Sequence, residues 1–142
     1  MRAPLFKALC DEKRMKLAAF LTMIMLSTSL AANEDYYVSG RLLECAALYG
    51  WLSRNGTNHE KKAEAKQLFT TYFGAAIDLS NKKYALTSFK QKAEELKNNI
   101  YSRPKHADTY LSGKNEVCSS PEKLGERVER ALNQFLKIKK NM

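Results

Sequence analysis

The stretch Val38–Leu52 (VSGRLLECAALYGWL) limits what this chain can fold into more than any other. At helical spacing Val38, Leu42, Cys45, Ala46, Tyr49 and Leu52 form one apolar stripe. Cys45 lies inside that stripe, and past residue 31 Cys118 is the one other cysteine. A bridge between the two would fasten the first helix to the far end of the fold. The competing states are two buried free thiols or half of a metal site. Metal has little support, because no CxxC is present and neither histidine flanks a cysteine. An even cysteine count in an oxidising compartment favours the bridge. Closing so long a loop is worth about 4 kcal/mol on chain entropy, less whatever strain the bond imposes.

The compartment is read from the first residues. Leu17–Leu30 (LAAFLTMIMLSTSL) is an uncharged apolar run preceded by Lys13, Arg14 and Lys16. Ser29 and Ala31 then place small residues where a signal peptidase reads them, with Ala32 following. This pattern predicts a secretory signal peptide over residues 1–31 and a single helical domain over 32–142. An uncleaved N-terminal anchor is the alternative, although the run is shorter than the roughly 20 residues of a membrane span. Met15-Lys16 would also make a conventional start, which would leave residues 1–14, with Cys10, outside the fold.

Charge follows from the same cut. Of 24 basic and 15 acidic residues, five and two fall within 1–31, which leaves a mature chain of net +6. Such a charge aids solubility and also attracts anionic partners such as lipid headgroups, envelope polysaccharide or nucleic acid. The export signal makes nucleic acid the least suitable of these, and no nucleic-acid partner is expected.

Hydrophobic periodicity lays out the rest. Helix 1 is expected over about Asp35–Arg54, ended by Asn55-Gly56, residues that tolerate a left-handed backbone. Thr57 and Glu60 have capping-box spacing, so helix 2, about Asn58–Leu79, should fold back as an antiparallel hairpin. Asn55-Gly56-Thr57 also spells a glycosylation acceptor, but turn and cap already account for all three residues. The stripe of helix 2 is Ala65, Leu68, Phe69, Tyr72, Phe73, Ala76 and Leu79, with Gly74-Ala75 thinning a face for close helix approach. Ser80 or Asn81 caps helix 3, about Lys82–Ser102, whose seam reads Leu86, Phe89, Ala93, Leu96 and Ile100. Lys82, Lys83, Lys90, Lys92 and Lys97 give that helix a basic outer surface.

Arg103-Pro104 should end helix 3. Residues 105–117 read as a loop with a short helical turn over Ala107–Ser112, stopped by Gly113. The last helix is expected from Pro121 to about Lys139, started by Ser119 and Glu122, with Leu124, Val128, Ala131, Leu132, Phe135 and Ile138 inward. Low glycine and proline, 6 and 3 residues, argue against a many-turned β architecture. The expected fold is therefore all-α: a small bundle of four main helices, with an extra helical turn in 105–117 and one disulfide.

Motifs for chemistry are missing from the sequence. There is no GxSxG, HExxH or glycine-rich phosphate loop, and His59 and His106 are isolated. Glu94 and Glu95 are neighbours on a helix, about 100° apart, which suits acid–base work poorly. No catalytic residue, metal or cofactor is expected. Aromatic residues are more suggestive. Trp51 falls outside the main stripe of helix 1, and Tyr110 and His106 sit in the polar 103–117 segment that a rigid scaffold would present. These three are the candidate partner-contact residues.

A leader, a polar lead-in with tyrosines, a helix carrying LLECAALYGWL, and a partner cysteine far downstream at Cys118 resemble small exported helical proteins of Gram-negative bacteria. The resemblance implies a periplasmic or secreted, disulfide-linked helical module, and it carries no catalytic residues. The expected role is to bind or inhibit another envelope or secreted protein. A peripheral membrane or polyanion contact through the lysine-rich face of helix 3 is the alternative.

Overall fold

Helix α1, across residues 33–55 of the computed structural model, is the axis around which the other helices pack. The structure describes residues 33–142; the expected leader and Cys10 lie outside the described residues. After α1 come α2 (His59–Leu79), α3 (Lys82–Ser102), a 3-10 turn (Pro104–His106), α4 (Ala107–Cys118), the one-turn α5 (Pro121–Leu124) and α6 (Glu126–Lys140). The described residues contain no strand, and Asp35–Met142 forms one compact unit.

The sequence stripe on α1 understates its burial. Leu42, Leu43, Cys45, Ala46 and Leu48 are completely covered, and Ala47 and Tyr49 almost so. Partners come from α2, α3 and α4. Ser39 on α1 donates from Oγ to the Ala76 carbonyl of α2 at 3.0 Å. The rings of Tyr36 and Tyr84 meet edge to face where α1 and α3 both begin. Cys118 at the end of α4 reaches Cys45, with S–S 2.00 Å and Cα–Cα 5.6 Å. Relative to α1, the first two contacts set α2 antiparallel and α3 parallel, and the bridge fixes the end of α4 to the middle of α1. The middle of α1 keeps only Arg41 and Glu44 as charged groups, both partly exposed, and most of the rest of it is apolar. Fully burying a leucine contributes about 2 kcal/mol, so Leu42, Leu43 and Leu48 alone anchor the bundle.

The ends of the helices depart from expectation in instructive ways. The α1–α2 turn contains no left-handed residue, because the one positive φ among the described residues is at Gly125. Gly56 is required for closeness instead: its amide donates to the Leu52 carbonyl at 2.9 Å, and a Cβ there would lie 2.8 Å from that oxygen. The cap of α2 is Asn58 rather than Thr57, its Oδ1 accepting from the amides of Glu60 (2.8 Å) and Lys61 (3.3 Å). Asn81 caps α3, accepting from the Tyr84 amide at 2.9 Å.

Two larger corrections concern the second half. The segment 105–117 is not a loop: α4 runs for 12 residues through Gly113, which faces open space. The expected last helix is broken at Gly125, where φ 111° and ψ 150° separate α5 from α6. No side chain caps α5, so the expected Ser119–Glu122 box does not form; Ser119 bonds back to the Glu116 carbonyl instead.

The seams also shift. Ala85, not Leu86, is buried on α3, and Leu86 is 49% exposed. Ala85 is completely covered within the core cluster. Ile138, expected inside, is 49% exposed near the end of α6. The thin face of α2 is used as expected: a Cβ on Gly74 would run into the Phe135 ring of α6. Phe69, Phe73 and Phe89 cluster with centroids 5.3–5.5 Å apart, closing the α2–α3 side of the core.

Candidate partner-binding groove

Where α1 ends beside the second half of α3, the two helices leave a groove of about 440 Å³. Trp51 and Ala47 of α1 and Phe89, Ala93 and Leu96 of α3 give it an apolar floor. Tyr101, 64% exposed, stands at one end. Arg54, Lys90 and Lys97 line the groove against a single carboxylate, Glu94, and none of the three cations forms an ion pair among the described residues.

Local chemistry holds the α1 wall in place. Polar side chains fold back onto the backbone of the last full turn of α1. Here Ser53 Oγ and Arg54 Nε donate to the Gly50 carbonyl at 2.9 and 3.0 Å, and Asn55 Nδ2 donates to that of Trp51 at 3.0 Å. Gly50 itself packs against Phe69 and Phe89, where a Cβ would stand 3.4–3.6 Å from the rings. The end of α1 is therefore ordered by its own side chains, and Trp51 is held half-buried with one side toward the groove.

The three candidate contact residues do not converge. Trp51 lines the groove just described. Tyr110 lies on α4 in a separate depression whose floor is the Cys45–Cys118 bridge. The Lys114 ammonium stands 5.9 Å from the Tyr110 ring centroid, and burial pushes the phenol's pKa upward. His106 ends the 3-10 turn, exposed, its backbone amide donating to the Arg103 carbonyl. His59 is also exposed, at the start of α2.

The basic surface of α3 is smaller than its lysine count. Lys92 turns inward, its Nζ 3.1 Å from Glu95 Oε2 and 3.6 Å from Glu44 Oε1. Its bond to Glu95, with help from Glu44, raises its pKa. Glu44 also pairs with Arg41 at 3.0 Å and Lys114 at 3.8 Å, so one carboxylate of α1 ties α3 and α4 together. Lys82, Lys83, Lys90 and Lys97 remain on the exposed side.

Sequence reasoning missed Phe89 and Tyr101 as groove residues. The only available sign was their spacing: 89, 93, 97 and 101 recur every four residues and so share a side of α3. Among the described residues, no three His, Cys, Asp or Glu side chains gather as a metal site, and no helix is long and apolar enough to cross a membrane. The chain matches no family model, no curated protein and no solved structure.

Proposed function

We propose that the protein is an exported, non-catalytic helical module that binds another envelope or secreted protein through the α1–α3 groove. The bound element is an acidic segment with apolar side chains. The observation that carries this reading is the pairing of a half-buried Trp51 and an exposed Tyr101 with three unpaired cations around one groove. Aromatic and arginine side chains are the usual anchors of protein interfaces, and unpaired rim charges of one sign select partners of the other. The leader-like run before residue 31 and the Cys45–Cys118 bridge support the exported setting.

Trp51 is the only tryptophan, so its emission reports groove occupancy directly. The test is a fluorescence titration with a helical peptide carrying leucine or phenylalanine at i, i+4 and i+7 and glutamate between them. A saturable blue shift is expected. Binding should weaken roughly tenfold or more in Tyr101→Ala, and should fall with added salt and in the charge reversal Lys90→Glu/Lys97→Glu. A photo-crosslinker at position 101 should give a discrete one-to-one adduct in the native host. A second reading, contact with an anionic membrane, is favoured by exposed Leu86 between Lys83 and Lys90 on α3. Binding to anionic vesicles with no response to the peptide would replace the first reading by the second.

A further inference from the structure

A second cavity lies away from the groove, where the end of α1, the start of α2 and the middle of α4 come together around about 450 Å³. Leu52, Leu68 and Leu111 make its apolar wall, and Glu64 and Asn115 add polar groups. Tyr49 lines it from α1. That residue is only 2% exposed, and its hydroxyl makes no hydrogen bond with any described residue. Tyr72 beside it shows the ordinary use of a buried phenol: the rings are 5.6 Å apart, and the Tyr72 hydroxyl donates to the Cys118 carbonyl. Tyr49 has no such duty.

A buried hydroxyl without a partner costs about 1–3 kcal/mol, and phenylalanine would fill the same space without that penalty. Among the described residues no fully enclosed polar side-chain atom lacks a partner. The Tyr49 hydroxyl therefore keeps its access through the cavity that the residue lines. The neighbouring carboxylate of Glu64 forms no ion pair or hydrogen bond among the described residues either. Its charge reaches the phenol: after burial, Glu64 is the second cause that raises the Tyr49 pKa, to about 12. An unpaired carboxylate lining the cavity beside a phenol oxygen favours a group that brings positive charge and N–H donors. Lys61 on the same rim is an exposed, flexible side chain that can turn to water.

We infer that this cavity is a binding site for a small cationic amphiphile, a primary amine on a short apolar chain or ring. The ammonium donates to the Glu64 carboxylate and the Tyr49 hydroxyl oxygen, and the apolar part packs on Leu52, Leu68 and Leu111. The volume lies within the range of small-molecule sites, and a few convergent polar groups on an apolar wall are their usual composition.

Calorimetric titration of the oxidised full chain with octylamine, octanol and octanoate tests the site. Octylamine should bind saturably at submillimolar concentration, at least tenfold tighter than octanoate. Tyr49→Phe removes a hydroxyl that bonds nothing in the protein, so the variant should fold as the parent does and bind octylamine several-fold more weakly. Glu64→Gln, on an exposed helix position, should lose tenfold or more. Trp51 emission should stay unchanged throughout, because Trp51 lines the other groove. Octanoate binding as tightly as octylamine, undiminished amine binding by both variants, or no saturable binding at all would each overturn the assignment.

Discussion

Tyr72 shows how one side chain can hold two distant parts of the chain. Its ring is buried on α2, and its hydroxyl bonds the Cys118 carbonyl at the end of α4, next to the bridge. Tyr72→Phe should leave that carbonyl short of a donor and lower stability by about 1–2 kcal/mol in urea unfolding, with the fold kept. Burial first, then the charges of neighbouring groups, raises the Tyr72 pKa above its usual 10.0, and burial and Glu64 raise that of Tyr49 to about 12. Both groups therefore hold their protons in the folded state at pH values where the unfolded chain gives them up. Their stabilisation is complete below pH 10 and is lost as pH rises through 10 toward 12. Melting temperature should stay flat up to about pH 10 on this account and then drop. The drop should be shallower in a Tyr49→Phe/Tyr72→Phe chain, measured relative to its own neutral-pH value.

At the scale of helices, two glycines are held in place by what approaches them. Gly56→Ala would drive a methyl into the Leu52 carbonyl, a backbone atom that cannot swing aside, and the α1–α2 turn should be destabilised by about 1–3 kcal/mol. Gly74→Ala meets only the tip of the Phe135 ring, which can tilt outward with α6, so chemical denaturation should show the smaller loss of the two. Helices α2 and α3 were legible with their boundaries because long, periodic apolar stripes bounded by Asn and Ser leave little choice. The second half was less so. Leu124 and Val128 keep helical spacing across Gly125, so the pattern reads straight through a break that only backbone geometry makes. Gly113 signals a stop, yet α4 passes through it because packing at Leu111 and Cys118 on either side outweighs roughly 1 kcal/mol of glycine cost. Trp51 was legible as an aromatic off the main stripe. Its partners Phe89 and Tyr101 were not, since a groove depends on how two helices lie side by side.

For the molecule as a whole, the bridge and the Glu44 charge cluster act on the same joint, fastening α1 to α4 from two sides. Reduction should remove about 4 kcal/mol by releasing a loop spanning 73 residues, less any offset from residual structure in the unfolded chain. Melting with and without a membrane-permeant reductant, or in a Cys45→Ala/Cys118→Ala chain, measures that loss directly. The arrangement of the bundle carries one more consequence. The innermost helix is the earliest of the described helices to be synthesised, while α6, part of its shell, comes last. A nascent chain therefore presents the wide apolar surface of α1, from Val38 to Tyr49, before anything exists to cover it. Chaperone dependence during biogenesis, rather than the stability of the finished protein, is where such a design is most exposed to failure.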